Sequence, residues 1–300
     1  MSEERKLRRV GIVGYGNLGG NVTSCFLLFQ THKGQYLSDM ILKEGSHFNL
    51  ELAFVWNRRS EKMENNIPAD LQLEDLNQFK EKHADLIVEV AHPQTVKEYG
   101  EEFLRYADFM VGSPTAFAEL ETETRLRKAA ETSGKTLYIP SGALWGAHDI
   151  QKMADRKTLK YLKVTMTKHP DSFKLEDPIK ELNEKAREKR TVLYNGSVRS
   201  LCSLAPNNVN TMAAAAMAAH NLGFDNVHGC LVADPSLPDW HIVDIEVTGP
   251  TDEKTGQIFT VKTTRQNPAS PAAVTGKATY GSFWSSLLLC KGHGGRVFLC

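Results

Sequence analysis

RRVGIVGYGNLG, residues Arg8 to Gly19, decides how the rest of the chain is read. The run Arg8 to Gly14 is short, β-branched and ends in glycine, which predicts a strand, and a helical pattern follows from Asn17 to about Phe29. Gly14, Gly16 and Gly19 fall in GxGxxG spacing at that strand-to-helix junction. The first glycine permits a tight turn, the second lets the main chain approach a diphosphate, and the third lets helix and strand pack closely. Free N–H groups at a helix start favour the anion. Gly14, Gly16, Asn17, Leu18 and Gly19 are therefore candidate dinucleotide contacts.

Working outward, LELAFVWN (Leu50–Asn57), DLIVEVA (Asp85–Ala91), DFMVGS (Asp108–Ser113) and KTLYIPSG (Lys135–Gly142) read as further strands separated by charged helical segments. Strands alternating with helices predict an α/β fold with a doubly wound, parallel Rossmann sheet. Gln30 to Phe48 is polar and broken by Gly34 and Gly45, and reads as an enlarged first crossover. An acidic residue closing the second strand would hold ribose hydroxyls, but this strand closes on Asn57-Arg58-Arg59. Two guanidiniums suit a ribose phosphate, so the pattern favours NADP over NAD. The span from the glycine turn to these residues exceeds the usual roughly 20 residues, which requires an insertion in the crossover.

The second half changes character. LKYLKVTMTK, VLYNGSV, GCLVAD, HIVDIEVTG and QIFTVKTT read as strands with few helices between, a mixed or antiparallel sheet covered on one face. PTDEKT joins the last two as a hairpin. An alanine-rich helix spans about Asn208 to Asn221, with Gly223 beyond it as a C-cap. The reading divides the chain into a dinucleotide-binding domain (1–145), a substrate and dimerisation domain (146–267) and a helical segment returning to the first domain (268–300).

Composition limits the function classes. The 300 residues include 36 Lys plus Arg and 36 Asp plus Glu, so no net field draws a polyanion and nucleic acid is not an expected partner. The longest apolar run, near Cys25 to Phe29, is far short of a bilayer span, and MSEERKLRR lacks an apolar signal core. The expectation is a cytoplasmic protein without membrane contact. Five scattered cysteines without a CxxC pair fit reduced thiols, neither a disulfide framework nor a metal site.

The ordered set GYGNLG, DLIVEVAHPQTV, IPSGALWG, KVTMTKHP, APNNVNTMAAAAMA, LVADPSL and DIEV resembles the L-aspartate dehydrogenase family, its animal domain-containing members included. The resemblance implies oxidative deamination of L-aspartate to oxaloacetate and ammonia, or the reverse amination, with a nicotinamide cofactor in a homodimer. It also implies cofactor contacts at Ala116, within SPTAFA, and at Asn210. Asn208 and Asn210 could cap the alanine helix or offer an amide to a ligand.

Hydrolysis of the imine needs a proton shuttle, and histidine titrates near working pH. The family places a histidine directly before the strand sequence matching DIEV. Here Val243 stands there and His241 lies two residues earlier, on the same strand face but displaced by roughly 7 Å. Three readings stay open: His241 acts from its shifted place, His220 or His169 substitutes, or the acid/base is absent. The last would leave a reductase of another imine or carbonyl, or an NADPH-binding protein without turnover. For the substrate carboxylates, Lys168 with His169 is the favoured pair and Arg199 a weaker choice. Ser141–Gly146 and His92–Thr95 fall where ligands bind in open α/β sheets.

Overall fold

The computed structural model describes residues 7–16, 33–276 and 278–300. Its first sheet begins with β1 (Arg8–Val13), followed by α1 (Lys33–Glu44), β2 (Leu50–Trp56), β3 (Gln72–Leu73), β4 (Leu86–Glu89), α2 (Pro93–Tyr106), β5 (Asp108–Val111), α3 (Leu120–Ser133) and β6 (Leu137–Ile139). These strands pair in parallel in the order β6-β5-β4-β1-β2-β3, the doubly wound Rossmann arrangement. Every residue of β4 and β5 is buried, as a parallel sheet covered on both faces requires. Order reverses between β1 and β4, so the crevice for a ligand opens above their carboxyl ends.

The expected helix at Asn17–Phe29 lies outside the described residues. The polar crossover expected at Gln30–Phe48 is instead α1 followed by a 3-10 turn at Gly45–Phe48. Leu37 and Ile41, four apart, supply a buried stripe that the scattered polar residues masked. α2 starts at Pro93, with His92 Nδ1 accepting from the Gln94 amide at 3.1 Å.

The chain then crosses by α4 (Ala147–Asp155) into a second sheet. Its elements are β7 (Tyr161–Lys168), α5 (Ile179–Lys185), β8 (Thr191–Ser197), α6 (Val198–Leu204), α7 (Asn210–Ala218), α8 (Gly223–Asn226), β9 (His228–Ala233), β10 (Trp240–Thr251) and β11 (Ile258–Pro268). The strand order is β11-β10-β7-β9-β8, antiparallel except for the parallel β7–β9 pair, hence mixed. β10 and β11 form the expected hairpin. β10 alternates buried with half-buried residues from His241 to Gly249, the mark of a sheet with one covered face. The helices α5, α6 and α8 were illegible because each spans at most seven residues, too few turns for a periodic signal.

α7 lies in the buried core with all of Met212 to Ala218 covered. Its five alanines let it pack closely against α4, α6, α8 and the 3-10 turn at Pro114–Ala118. After β11, α9 (Ala278–Leu289) returns to the first sheet and packs Phe283, Trp284 and Leu287 with Leu37 and Ile41. The last element, β12 (Val297–Leu299), pairs in parallel with β6 and gives the first sheet a seventh strand that the sequence reading missed. No helix among the described residues is long and apolar enough to cross a membrane.

Candidate active site

The turn after β1 is built against the end of β4. Gly14 adopts φ +111°, and a Cβ there would lie 2.8 Å from the backbone of Val90 and Ala91, so only glycine fits. Its amide donates to Trp56 O at 2.8 Å, and the Tyr15 amide donates to Asn57 Oδ1 at 3.1 Å. Asn57 Nδ2 in turn donates to Arg59 O at 2.8 Å. Asn57 thus fastens the glycine turn to the end of β2. Arg58 and Arg59 are exposed beside it, and neither makes an ion pair with a described carboxylate. Lys62 reaches the same place, its side chain about 3.1 Å from the position a Gly16 Cβ would take. Arg58 acts electrostatically on His92, which burial and the nearby cations hold below its ordinary pKa. Asn17, Leu18 and Gly19 lie outside the described residues.

Glu89 ends β4 beneath this crevice and is completely buried. Its carboxylate accepts from the Ala91 amide at 2.7 Å and from the Ser113 amide and hydroxyl at 3.0 Å each. Burial outweighs these bonds and pushes its pKa up to about 7. The bonds lock the loops after β4 and β5 together at the mouth of the site. Sequence reasoning passed over Glu89 because it sits inside an apolar strand run.

A cleft lies between the carboxyl end of the first sheet and the covered face of the second. From the first sheet it is lined by Gly112, Pro114 and Pro140–Ala143, from the second by Met166, Lys168, His241, Val243, Arg265 and Asn267, and from the α7 start by Asn207, Asn208 and Asn210. Lys33 and Phe283 close its side, with the Lys33 ammonium 4.2 Å from the Phe283 ring centre.

Three neighbouring strands set the floor. His241 on β10 stands opposite Lys168 on β7 and Asn267 on β11, and Asn267 Nδ2 donates to His241 O at 3.1 Å. Lys168 is 3% exposed, and its ammonium donates to Val274 O at 3.0 Å. Burial lowers its pKa to about 8. His241 is 5% exposed, with Nε2 buried and unpartnered among the described residues. Burial first, then the Lys168 charge, lowers its pKa to about 4, so the imidazole is neutral. The shift from Val243 to His241 does not remove the histidine from the cleft, because both positions line it.

Arg265, opposite Val243, donates from Nη1 to Gly142 O at 3.0 Å. Lys168, Arg265 and Lys33 make no ion pair among the described residues, and the lining carries no Asp or Glu. Lys33 does sense the Glu89 charge, yet burial dominates and lowers its pKa to about 8. Arg265 and Asn267 escaped the sequence reading because β11 looks like an exposed edge strand.

Other expected residues are distributed differently. The Asn208 side chain bonds the Lys174 amide and carbonyl, and Val209 precedes α7 without a side-chain cap, so the capping reading of both asparagines gives way. Asn210 Oδ1 is buried without a partner among the described residues. Ala116 is wholly buried in the 3-10 turn Pro114–Ala118 and does not line the cleft, whereas neighbouring Pro114 does. His169 Nδ1 accepts from the Asp171 amide at 3.2 Å, capping the turn that follows β7, and also lies outside the lining. His220 pairs with Asp155 at 2.8 Å and Arg199 with Asp225 at 2.6 Å, both away from the cleft.

Residues 149–286 match the family described as aspartate dehydrogenase, C-terminal, and residues 14–140 match the homoserine dehydrogenase NAD binding domain. The chain is 61% identical over 300 residues to an aspartate dehydrogenase domain-containing protein of Xenopus tropicalis, covering 100% of both. It is 30% identical over 216 residues to an L-aspartate dehydrogenase of Methanococcoides burtonii, covering 69% of this chain and 77% of that one. The fold is shared with a crystal structure of aspartate dehydrogenase from Thermotoga maritima at TM-score 0.66 and 21% identity, over 95% of this chain and 97% of that one. With the glycine turn, the doubly wound sheet and the second-sheet cleft in place, these matches show that the chain belongs to the aspartate dehydrogenase family, which carries a nicotinamide-cofactor domain.

Proposed function

We propose that this protein is an L-aspartate dehydrogenase that prefers NADP and works as a homodimer in the cytoplasm. The observation that carries the substrate assignment is the charge of the cleft: among the described residues, three cations without ion pairs and no carboxylate in the lining. Such a cleft favours a small dianion over a neutral amino acid. The cofactor fits the residues present. A glycine turn bares the main chain above the β1–β4 switch point, and among the described residues the cations at the end of β2 have no carboxylate partner and the Asn210 oxygen no donor, leaving it to an amide. When bound, the nicotinamide ring supplies the hydride acceptor.

Gly14, Gly16, Asn17, Leu18 and Gly19 hold the diphosphate in this reading, while Asn57, Arg58 and Arg59 hold the ribose phosphate. Asn210 meets the carboxamide, and Ala116 shapes the wall behind it. Lys168 holds one substrate carboxylate and the free edge of the Arg265 guanidinium holds the other. Loss of hydride from Cα and a proton from nitrogen gives an imine. His241 takes a proton from the attacking water, the adduct collapses, and ammonia leaves with oxaloacetate. Asn208 positions the loop at Lys174, and His169 positions the end of β7.

The low pKa of His241 favours one second reading, a nicotinamide-binding protein with little turnover, because a desolvated imidazole is a weak base. Purified protein with L-aspartate and NADP, followed by absorbance of the reduced cofactor, separates the two. Aspartate-dependent reduction with no response to L-alanine supports the dehydrogenase. NADPH binding without reduction in either direction overturns it.

A further inference from the structure

Gly34, in the first turn of α1, packs against the strand end where the fingerprint requires its third glycine. A Cβ at Gly34 would overlap the Gly14 carbonyl oxygen and lie 3.4 Å from Tyr15 Cα. The next residue fastens the same contact, with Gln35 Nε2 donating to Tyr15 O at 3.2 Å. Helix and strand can approach this closely only without a side chain at Gly34, the role of the third glycine in a dinucleotide fingerprint. α1 is also the crossover that leads from β1 to its parallel neighbour β2.

The spacing agrees independently. Asn57 follows Gly34 by 23 positions, close to the roughly 20 residues that separate such a turn from the ribose-binding end of the second strand. It follows Gly19 by 38. In the fingerprint the third glycine follows the second by three positions, but Gly34 follows Gly16 by 18, so 15 residues are additional between them. Sequence reading placed the insertion at Gln30–Phe48, because GYGNLG completes the motif by itself. The insertion instead divides the motif.

We infer that Gly34, not Gly19, is the third glycine of the nucleotide-binding fingerprint, so that the sequence carries 15 additional residues between its second and third glycines. The inference rests on the proposed dinucleotide site and refines it. A connection lengthened about sixfold closes a larger loop when α1 packs on β1, a chain-entropy cost that lowers the folding equilibrium roughly tenfold by loop-closure scaling. Removing residues 20–34 joins Gly19 to Gln35, giving GYGNLGQYLSD, in which Gly19 takes the place of Gly34.

The test compares the full chain, Gly34→Ala, Gly19→Ala and the 20–34 deletion, using NADPH fluorescence titration and thermal unfolding without nucleotide. The inference expects the deletion to unfold cooperatively at a higher temperature than the full chain and to keep NADPH binding. Gly34→Ala lowers the unfolding temperature in the absence of nucleotide, whereas Gly19→Ala leaves that temperature unchanged. Loss of NADPH binding in a folded deletion, or a lowered unfolding temperature in Gly19→Ala with that of Gly34→Ala unchanged, overturns the assignment of Gly34. Absence of NADPH and NADH association in the folded full chain and the folded deletion alike overturns the dinucleotide reading itself, and the inference with it.

Discussion

Lys168 and His241 face each other across the β7–β10 ladder, both buried at the cleft floor, and the lysine charge helps keep the imidazole neutral. A cation beside a neutral base is suited to holding a carboxylate while leaving the imidazole free to accept a proton. Changing Lys168 to Met is expected to raise the His241 pKa from about 4 toward its ordinary 6.5, read from the imidazole NMR signals. The same change raises KM for aspartate by about tenfold or more, the scale of one charge-assisted hydrogen bond. An unmoved His241 titration would break the electrostatic link.

Arg265 extends that argument to the second carboxylate. With Nη1 held by Gly142 O, the guanidinium offers its remaining edge in a fixed plane. Arg265→Lys keeps the charge and loses the fork, so KM for aspartate is expected to rise by about tenfold while NADPH affinity stays the same. Equal kinetics in the two proteins would assign Arg265 to structure alone.

Stability against pH carries two opposing contributions. Glu89 is raised from 4.5 to about 7, so its contribution is fully present below pH 4.5 and is lost as pH rises toward 7. His241 is lowered from 6.5 to about 4, so stability is lost as pH falls from 6.5 toward 4. Between pH 4.5 and 6.5 the two slopes largely cancel, so Glu89→Gln should leave stability rising with pH there and His241→Gln should leave it falling. Each change alters the unfolding temperature by on the order of a few degrees across its window. Parallel profiles for the three proteins would contradict both assignments.

Cofactor choice rests on the end of β2. Replacing Arg58 and Arg59 together by alanine is expected to weaken NADPH by about tenfold or more and to leave NADH nearly unchanged, because only the former carries the ribose phosphate. Equal losses for both nucleotides would remove the preference for NADP.

Strands β1, β2, β4, β5 and β6 of the first sheet were legible because each is an apolar run closed by glycine, proline or a polar residue, whereas β3 and β12, of two and three residues, were too short to register. β10 was legible through its alternation, and Lys168 and His241 because strand ends carry chemistry. Arg265 was not, since nothing local distinguishes the one inward arginine of a polar strand from its outward neighbours. Glu89 and the role of Gly34 depend on contacts with residues 24 and 20 positions away, which no local pattern records.

The pairing of β12 with β6 sets an order of events during synthesis. Residues 297–299 lie beside residues 137–139, so that flank of the nucleotide-binding sheet cannot be completed until about 160 further residues have left the ribosome after β6. Until then β6 presents an open edge to other nascent chains. The Ser141 amide and hydroxyl, on the cleft wall, both donate to the Cys300 carbonyl, at 2.6 and 2.8 Å, so that wall too waits for a residue far along the chain.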